Sequence, residues 1–320
     1  MKLGIVVTEG DFKKEYIGML DGQFSSLDIK KSRAYLSGYN KDGKWEMIYT
    51  RLDEEDFIPS QISPKQAYAN MKKFVKFPEV KAPFSASPYN TYNEIYDGKR
   101  VYAYYYDMNS AYANVMANYR FPDTRFMEFQ REVGDDEIGF DFEGELRFAG
   151  EYAQYVFPLT KDKPFERFAR YYYNLKKNAK DNYERSKYKE QLNVPVGLLQ
   201  RHNPFLRAYI VNMCSKIMTD IVEPLGDDWI LSNTDSIISR VPLDLKIGND
   251  IGEWKFKEGN IAVFKSCYQW EKEKPKYKGV PSGWFKEGFD ILTDELPEQG
   301  NIYNFDYDKG DFVRYEEKAQ

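Results

Sequence analysis

The chain has 320 residues, of which 30% are charged and 17% aromatic, with a formal net charge of −5 and a pI of about 5.3. This length allows one large domain or two modest ones with a real core. The acidic balance excludes a protein held on nucleic acid by bulk charge, so any such contact needs a local basic surface.

The cysteine content and the apolar runs of the sequence indicate the cellular compartment. Cys214 and Cys267 stand far apart without a CxxC partner, which argues against a disulfide framework. No apolar run approaches the ~20 residues of a membrane span, and the first residues are too short an apolar run for a secretory signal. We therefore expect a soluble, cytoplasmic protein without a membrane partner.

The first 98 residues mix short β-prone runs with turn signals. Strands are predicted at 3–7 and 45–49, separated by turn residues at 40–44. A helix is predicted at 64–77, where Pro64 suits the first turn. Residues 82–90 then have the composition of a linker.

The next predicted element is an aromatic strand at 99–106 that ends on a carboxylate, Asp107. A helix is predicted at 109–119, with Asn109 or Ser110 able to cap it and a proline after it. Two further strands are predicted at 137–148 and 153–158.

Residues 165–192 form a long charged helical stretch, which we expect to break near 180–182 into a helical pair. It carries the densest positive run of the chain: Arg167, Arg170, Lys176, Lys177, Lys180, Arg185, Lys187 and Lys189. The helical periodicity of 205–222 predicts a core helix. Residues 229–241 read as a β-hairpin, whose turn presents Asn233, Thr234, Asp235 and Ser236.

Two aspartates stand out because each follows an apolar strand and has no basic partner in its own segment. A carboxylate that is partly buried is costly unless it is paired or holds a metal. Asp107 and Asp235, if raised to one sheet edge, can bridge two Mg²⁺ ions. For either residue alone, an unrelated surface aspartate is the favoured interpretation.

A third motif shifts the preference towards a functional role for the two aspartates. Lys189, Asn193 and Gly197 fall at i, i+4 and i+8, which places them near one helical face. Lysines on such a face can hold a triphosphate, and a glycine lets a strand or base pair approach closely. The alternative is a solvated basic helix with Gly197 near its end.

Together, in this order, these motifs resemble the palm and fingers of family B DNA polymerases, most closely the protein-primed group of phages and linear plasmids. The family motif D-x-x-S-L-Y-P-S appears at residues 107–114, with alanine replacing proline. The motif K-x-x-x-N-S-x-Y-G appears at 189–197, with valines at 194 and 196. The motif Y-x-D-T-D-S appears at 231–236, where Asn233 replaces one aspartate.

The resemblance implies an α+β fold, with a polymerase palm built on an antiparallel sheet, helical fingers and a small thumb. It divides the chain into an N-terminal segment of unknown role at 1–98, palm at 99–164 and 201–245, fingers at 165–200, and palm end with reduced thumb at 246–320.

The same resemblance implies roles for individual residues. Asp107 and Asp235 would be catalytic and hold two Mg²⁺ ions, which Mn²⁺ can replace, with the Met108 backbone and, weakly, Asn233. Nucleotide binding would involve Ser110, Tyr112, Lys177, Lys189 and Asn193. Primer–template binding would involve Gly197, Thr234, Lys265 and Tyr268.

The implied function is template-directed DNA polymerisation from deoxynucleoside triphosphates on a primer–template, in phage or mobile-element replication within a host bacterium. Proofreading is not expected, because 98 residues are too short for the family's exonuclease domain. An alternative is a weakened or inactive polymerase-like protein that binds nucleic acid or serves in replication initiation beside other replication proteins. A further alternative is an unrelated α+β protein with chance motifs.

Overall fold

A computed structural model describes the strands at 23–30, 33–39 and 45–51, residues 64–84, 86, 90–273, 275–276 and 288–294, and the strands at 302–306 and 311–315. The strand predicted at 3–7 and the turn at 40–44 lie outside the described residues. Within the described ranges, no helix is long and apolar enough to cross a membrane.

The elements, in chain order, divide between two compact units, one of residues 1–63, 96–101 and 259–320 and the other of residues 64–95 and 102–258. The strands are β1 Gln23–Lys30, β2 Arg33–Tyr39, β3 Trp45–Arg51, β4 Asn90–Tyr92, β5 Lys99–Met108, β6 Glu128–Glu132, β7 Glu137–Phe140, β8 Leu146–Arg147, β9 Tyr152–Pro158, β10 Trp229–Asn233, β11 Ser236–Ser239, β12 Trp254–Phe264, β13 Cys267–Trp270, β14 Ile302–Asp306 and β15 Asp311–Tyr315. The helices are α1 Pro64–Lys72, α2 Ala111–Asn118, α3 Glu166–Lys177, α4 Asn182–His202 and α5 Pro204–Val222.

The first unit contains an antiparallel sheet in the order β15-β14-β1-β2-β3. Of these strands the sequence predicted only the third, at 45–49. The same unit holds the turn between β12 and β13, where Val263 lies opposite Tyr268.

The second unit is built around a sheet in the order β12-β5-β11-β10-β4, to which β12 and β5 contribute the parts within 102–258. The predicted hairpin is confirmed: β10 and β11 pair antiparallel, with Asn233 opposite Ser236 and a two-residue turn between them. The predicted strand at 99–106 is also confirmed and extends to Met108 as β5.

The helices of this unit lie where the sequence predicted helices, although α1 ends at Lys72 instead of 77 and α4 continues to His202 instead of ending at 192. The charged stretch breaks where expected, because the Asp181 side chain accepts a hydrogen bond from the Glu184 N–H at 2.7 Å and so caps α4. Glu184 in turn accepts from the Lys180 N–H, one residue before the cap, at 3.1 Å. Helices α3 and α4 then pack against each other.

Helix α5 supplies the centre of the apolar core, as its periodicity predicted. Its first turn places the fully buried Phe205 against the rings of Phe84, Phe140 and Phe157. Asn203 caps the helix by accepting from the Leu206 N–H at 3.3 Å. The apolar core thus lies around α5, whereas the polar residues predicted to be functional lie at the end of β5 and in the turn of the β10–β11 hairpin.

A second, four-stranded sheet has the order β6-β9-β7-β8. The strands predicted at 137–148 and 153–158 are found in it as β7, β8 and β9, whereas β6 was not predicted. Both sheets are antiparallel and the helices pack beside them, which confirms the α+β class.

Candidate active site

The sheet places the two prominent aspartates side by side. Asp107, near the end of β5, lies opposite Ser236 in the β5–β11 pairing. The Met108 N–H donates to the Asp235 carbonyl at 2.8 Å, which joins the end of β5 to the hairpin turn. Both aspartates line one cleft, so the backbone brings together the two carboxylates that the sequence singled out.

The same cleft collects the strongest positive charge near these aspartates. Four cationic side chains line it: Lys176, Arg185, Lys189 and Lys255. Uncharged polar and aromatic contributions come from Ser110, Tyr112, Asn193 and Thr234. A cleft with two carboxylates among four cations suits an anionic ligand that brings its own metal ions.

Asp235 is half-buried in this cleft, and its environment disfavours the charged form. Burial, followed by repulsion from Asp107, raises the pKa of Asp235 from 3.8 to about 6, against the opposing effect of Lys189 and Lys255. Two neighbouring carboxylates that repel each other attract a cation.

Lys176 on α3 is held at the cleft by a contact with the loop between β5 and α2. Its Nζ donates to the Ser110 Oγ at 2.7 Å. Burial, with Lys189, Arg185 and Lys255 adding repulsion, lowers the pKa of Lys176 to about 8. Ser110 itself adopts a left-handed conformation, with φ 57° and ψ 58°, so the loop turns sharply at this residue.

Lys177, the residue predicted to assist Lys189, has a different neighbour. It forms an ion pair with Asp250 and does not line the cleft. The structure therefore brings Lys176, rather than Lys177, next to Lys189 and the two aspartates.

A loop at 246–253 supports the end of β5 through Asn109, which is buried. The Asn109 N–H donates to the Glu253 carbonyl at 2.8 Å, and its Nδ2 donates to the Gly248 carbonyl at 2.7 Å. In turn its carbonyl accepts from the Gly252 N–H at 3.1 Å. Asn109 thus has a structural role beside the aspartate.

The carboxylate pair fits Mg²⁺ provided that phosphate oxygens of a ligand complete the coordination shell. In the described part of the chain, no group of three or more His, Cys, Asp or Glu side chains is placed to hold a metal. Mg²⁺ in nucleotide-dependent enzymes is commonly held by one or two carboxylates together with substrate phosphates. Asp107 and Asp235, whose charges repel each other, meet that description when a phosphate ligand completes the shell.

Other predicted residues fall at separate places. Asn233 ends β10, paired with Asn90 and Ser236, and is not among the described residues that line the cleft. Gly197 is exposed on α4, and a Cβ there would meet nothing within 4 Å. Lys265 and Tyr268 lie in the first unit, at the turn between β12 and β13, where the Lys265 N–H donates to Asp97 at 2.9 Å.

Three cations of the cleft were not assigned a role from the sequence. Lys176 and Arg185 belong to the basic run of the helical pair, and their proximity to Lys189 was the signal that could have selected them. Lys255 lies on β12, which neighbours β5 in the sheet, and its contact with Asp107 joins residues 148 positions apart.

The chain has a distant DNA polymerase-like fold. Phi29 DNA polymerase complexed with single-stranded DNA is similar, with a TM-score of 0.51 and 13% identity, over 64% of this chain and 54% of that chain. Phi29 DNA polymerase complexed with primer-template DNA and incoming nucleotides gives a TM-score of 0.50 and 14% identity, over 64% and 55%.

The chain thus spans about half the length of the polymerases it resembles. At these identities the likeness concerns the fold. No protein family profile matches the sequence, and no curated protein matches it either.

Proposed function

We propose that the protein is a template-directed DNA polymerase, which transfers a nucleotidyl group to a primer 3′-end and releases pyrophosphate. The observation that carries this proposal is the pairing of Asp107 and Asp235 in a cleft lined by Lys176, Arg185, Lys189 and Lys255. The polymerase-like fold supports it, because Phi29 DNA polymerase, which has a similar fold, forms a complex with primer-template DNA and incoming nucleotide substrates.

Asp107 and Asp235 would hold two Mg²⁺ ions, with the Met108 backbone as a further ligand. When bound, these ions neutralise charge on the triphosphate and make the 3′-hydroxyl a better nucleophile. The chain's own part is to fix the two carboxylates through the strand pairing and to present them from a rigid sheet.

The cations of the helical pair would neutralise the triphosphate. Lys189 and Arg185 on α4 and Lys176 on α3 line one side of the cleft, where each can act as a point charge or hydrogen-bond donor to phosphate oxygens. Catalysis of this kind rests mostly on positioning and charge neutralisation. Asn193 lies on the same helix and would assist.

Tyr112 would contact the sugar of the incoming nucleotide from the first turn of α2, where it lines the cleft and packs partly against the core. Ser110 would lie beside the triphosphate. Gly197 and Thr234 would face the template and primer, with Lys265 and Tyr268 gripping the primer terminus. A place in phage or mobile-element replication, beside other replication proteins, is part of the same proposal.

A primer-extension assay tests this function. A labelled primer–template is incubated with the four deoxynucleoside triphosphates in Mg²⁺ and then in Mn²⁺, using wild type, Asp107→Ala and Asp235→Ala. Extension that disappears in both variants supports the proposal. Asp220→Ala, an exposed aspartate on α5 paired with Lys216, is the matched control and retains extension.

A second candidate function is nucleic-acid binding without synthesis, as a subunit in replication initiation. It is favoured by Asn233 in place of the family's aspartate and by the match to about half of the Phi29 polymerase length. Primer–template binding retained without extension in either metal would select this function over polymerisation.

A further inference from the structure

Lys255 contacts one of the two carboxylates directly. Its Nζ lies 3.2 Å from the Asp107 Oδ2, across from the hairpin that carries Asp235. Lys255 is the second residue of β12, and the preceding Trp254 is buried and backbone-bonded to Lys246 at 2.9 Å. The backbone next to Lys255 is therefore held in place by Trp254, while the Lys255 side chain is half exposed.

This contact alters the charge that a metal ion meets. With Lys255 in place, the cleft holds four cationic side chains against the two carboxylates of Asp107 and Asp235. A free divalent cation enters against a net positive charge, whereas a metal–triphosphate complex enters with a negative charge of its own.

We propose that Lys255 is a positioning residue that serves as a built-in counter-ion to Asp107 and competes with the divalent cation there. The inference rests on the proposed function. It implies that the divalent cation binds tightly only together with a phosphate ligand. In the free protein the ammonium of Lys255 neutralises Asp107, and in the liganded protein it transfers to a phosphate oxygen.

The exposure of the pair makes this exchange feasible. The Lys255 side chain is 50% exposed and that of Asp107 is 29% exposed. An ion pair so accessible to water is weak, so a ligand with several phosphate oxygens can displace it. Lysine suits the role because its single charge sits on a flexible four-carbon stem.

Metal binding in the absence of nucleotide tests the proposal. Free Mn²⁺ is measured by electron paramagnetic resonance during titration of wild type, Lys255→Met and Lys216→Met, all at one ionic strength. We expect Lys255→Met to bind Mn²⁺ about tenfold more tightly than wild type, since a positive charge beside the metal is removed. Lys216→Met, which lacks an exposed lysine on α5, should match wild type.

A second titration adds a nucleotide whose α,β-bridge cannot be cleaved. In wild type the nucleotide should tighten Mn²⁺ binding more than it does in Lys255→Met, because the variant has no competing ammonium to displace. An Asp107→Asn protein, which loses the carboxylate, should lose Mn²⁺ binding and so identify the site. Circular dichroism checks that each variant is folded.

Equal Mn²⁺ affinity in wild type and folded Lys255→Met, or no Mn²⁺ binding by either, would overturn the proposal. The readout does not depend on polymerisation. Tighter Mn²⁺ binding by Lys255→Met without primer extension by wild type would leave this inference standing and remove the proposed function. Primer extension by wild type, with the same Mn²⁺ affinity in wild type and Lys255→Met, would support the proposed function and overturn this inference.

Discussion

Lys176 reaches from α3 to the loop after β5, where its Nζ donates a hydrogen bond to the Ser110 Oγ at 2.7 Å. This contact joins the helical pair to the segment that carries Asp107. It also places an ammonium in the cleft that both carboxylates line, where the proposed triphosphate would be neutralised.

Neighbouring lysines on α3 should therefore differ in their effect on nucleotide binding. Lys176→Met is expected to raise the KM for the incoming nucleotide at least about tenfold, because it removes a cation from the cleft. Lys177→Met removes an exposed pair with Asp250 and should change KM less than about threefold. Steady-state primer extension measures both, and a larger effect from Lys177→Met would contradict the assignment.

The raised pKa of Asp235 predicts how stability depends on pH. This carboxyl has a pKa of about 6 in the folded chain against 3.8 for an ordinary aspartate. Between these values the folded state binds more protons, so the free energy of unfolding falls as the pH rises toward 6. The penalty is complete above about pH 6 and absent below about pH 4.

Asp235→Asn should remove that penalty. In EDTA at pH 7.5 we expect its free energy of unfolding to exceed that of wild type by on the order of 1–2 kcal/mol, with the gain shrinking to nothing near pH 4. Urea unfolding at several pH values provides the measurement, and Asp220→Asn, exposed on α5, is the control. A gain that is the same at every pH would show that the charge of Asp235 is not its cause.

Asn233→Asp restores the residue type of the family motif, yet we expect a small effect. The Asn233 backbone pairs with Asn90 and Ser236, and its side chain is not among those described as lining the cleft. A charge outside the cleft acts through solvent screening, so extension rate and Mg²⁺ requirement should change less than about threefold. An increase of tenfold or more in extension rate would instead indicate that residue 233 contacts the metal.

Gly252 provides a test of the loop that supports Asn109. It has a φ of +79°, and a Cβ there would lie 2.4 Å from the Asn114 Oδ1. Gly252→Ala should lower the free energy of unfolding by about 2–3 kcal/mol, through backbone strain together with the displaced contact.

Gly150→Ala is its matched control. Gly150 has a similar φ of +85°, but a Cβ there meets nothing within 4 Å. It should therefore cost only the strain, about 1 kcal/mol, as measured by thermal unfolding. Equal losses in the two variants would show that the contact with Asn114 contributes nothing.

Which of Lys176 and Lys177 lines the cleft could not be predicted from the sequence. Both lysines lie in the predicted helical stretch, and the break between α3 and α4 was predicted correctly. Once the chain breaks at 178–181, the rotation of α3 about its axis is no longer tied to that of α4. Adjacent residues on a helix differ by about 100°, so the sequence alone does not indicate which of the two lysines lines the cleft.

The fold shows the same division between local and distant signals. The hairpin of β10 and β11 and the strand before Asp107 have strong local patterns and were predicted. Strand β6 was missed because it is polar and almost wholly exposed, and Gln130 interrupts it with a φ of 53°. The pairing of Asp28 with Asn304 joins distant parts of the chain, which no local pattern signals.

The hydrogen bond from the Met108 N–H to the Asp235 carbonyl uses only main-chain atoms, which every residue type except proline can supply. This link between the end of β5 and the hairpin turn therefore does not depend on the side chains at 108 and 235. The backbone arrangement of the two aspartates and the charge of the cleft can therefore change independently. A lysine at 255 can change the electrostatics of the cleft while the strand pairing stays the same.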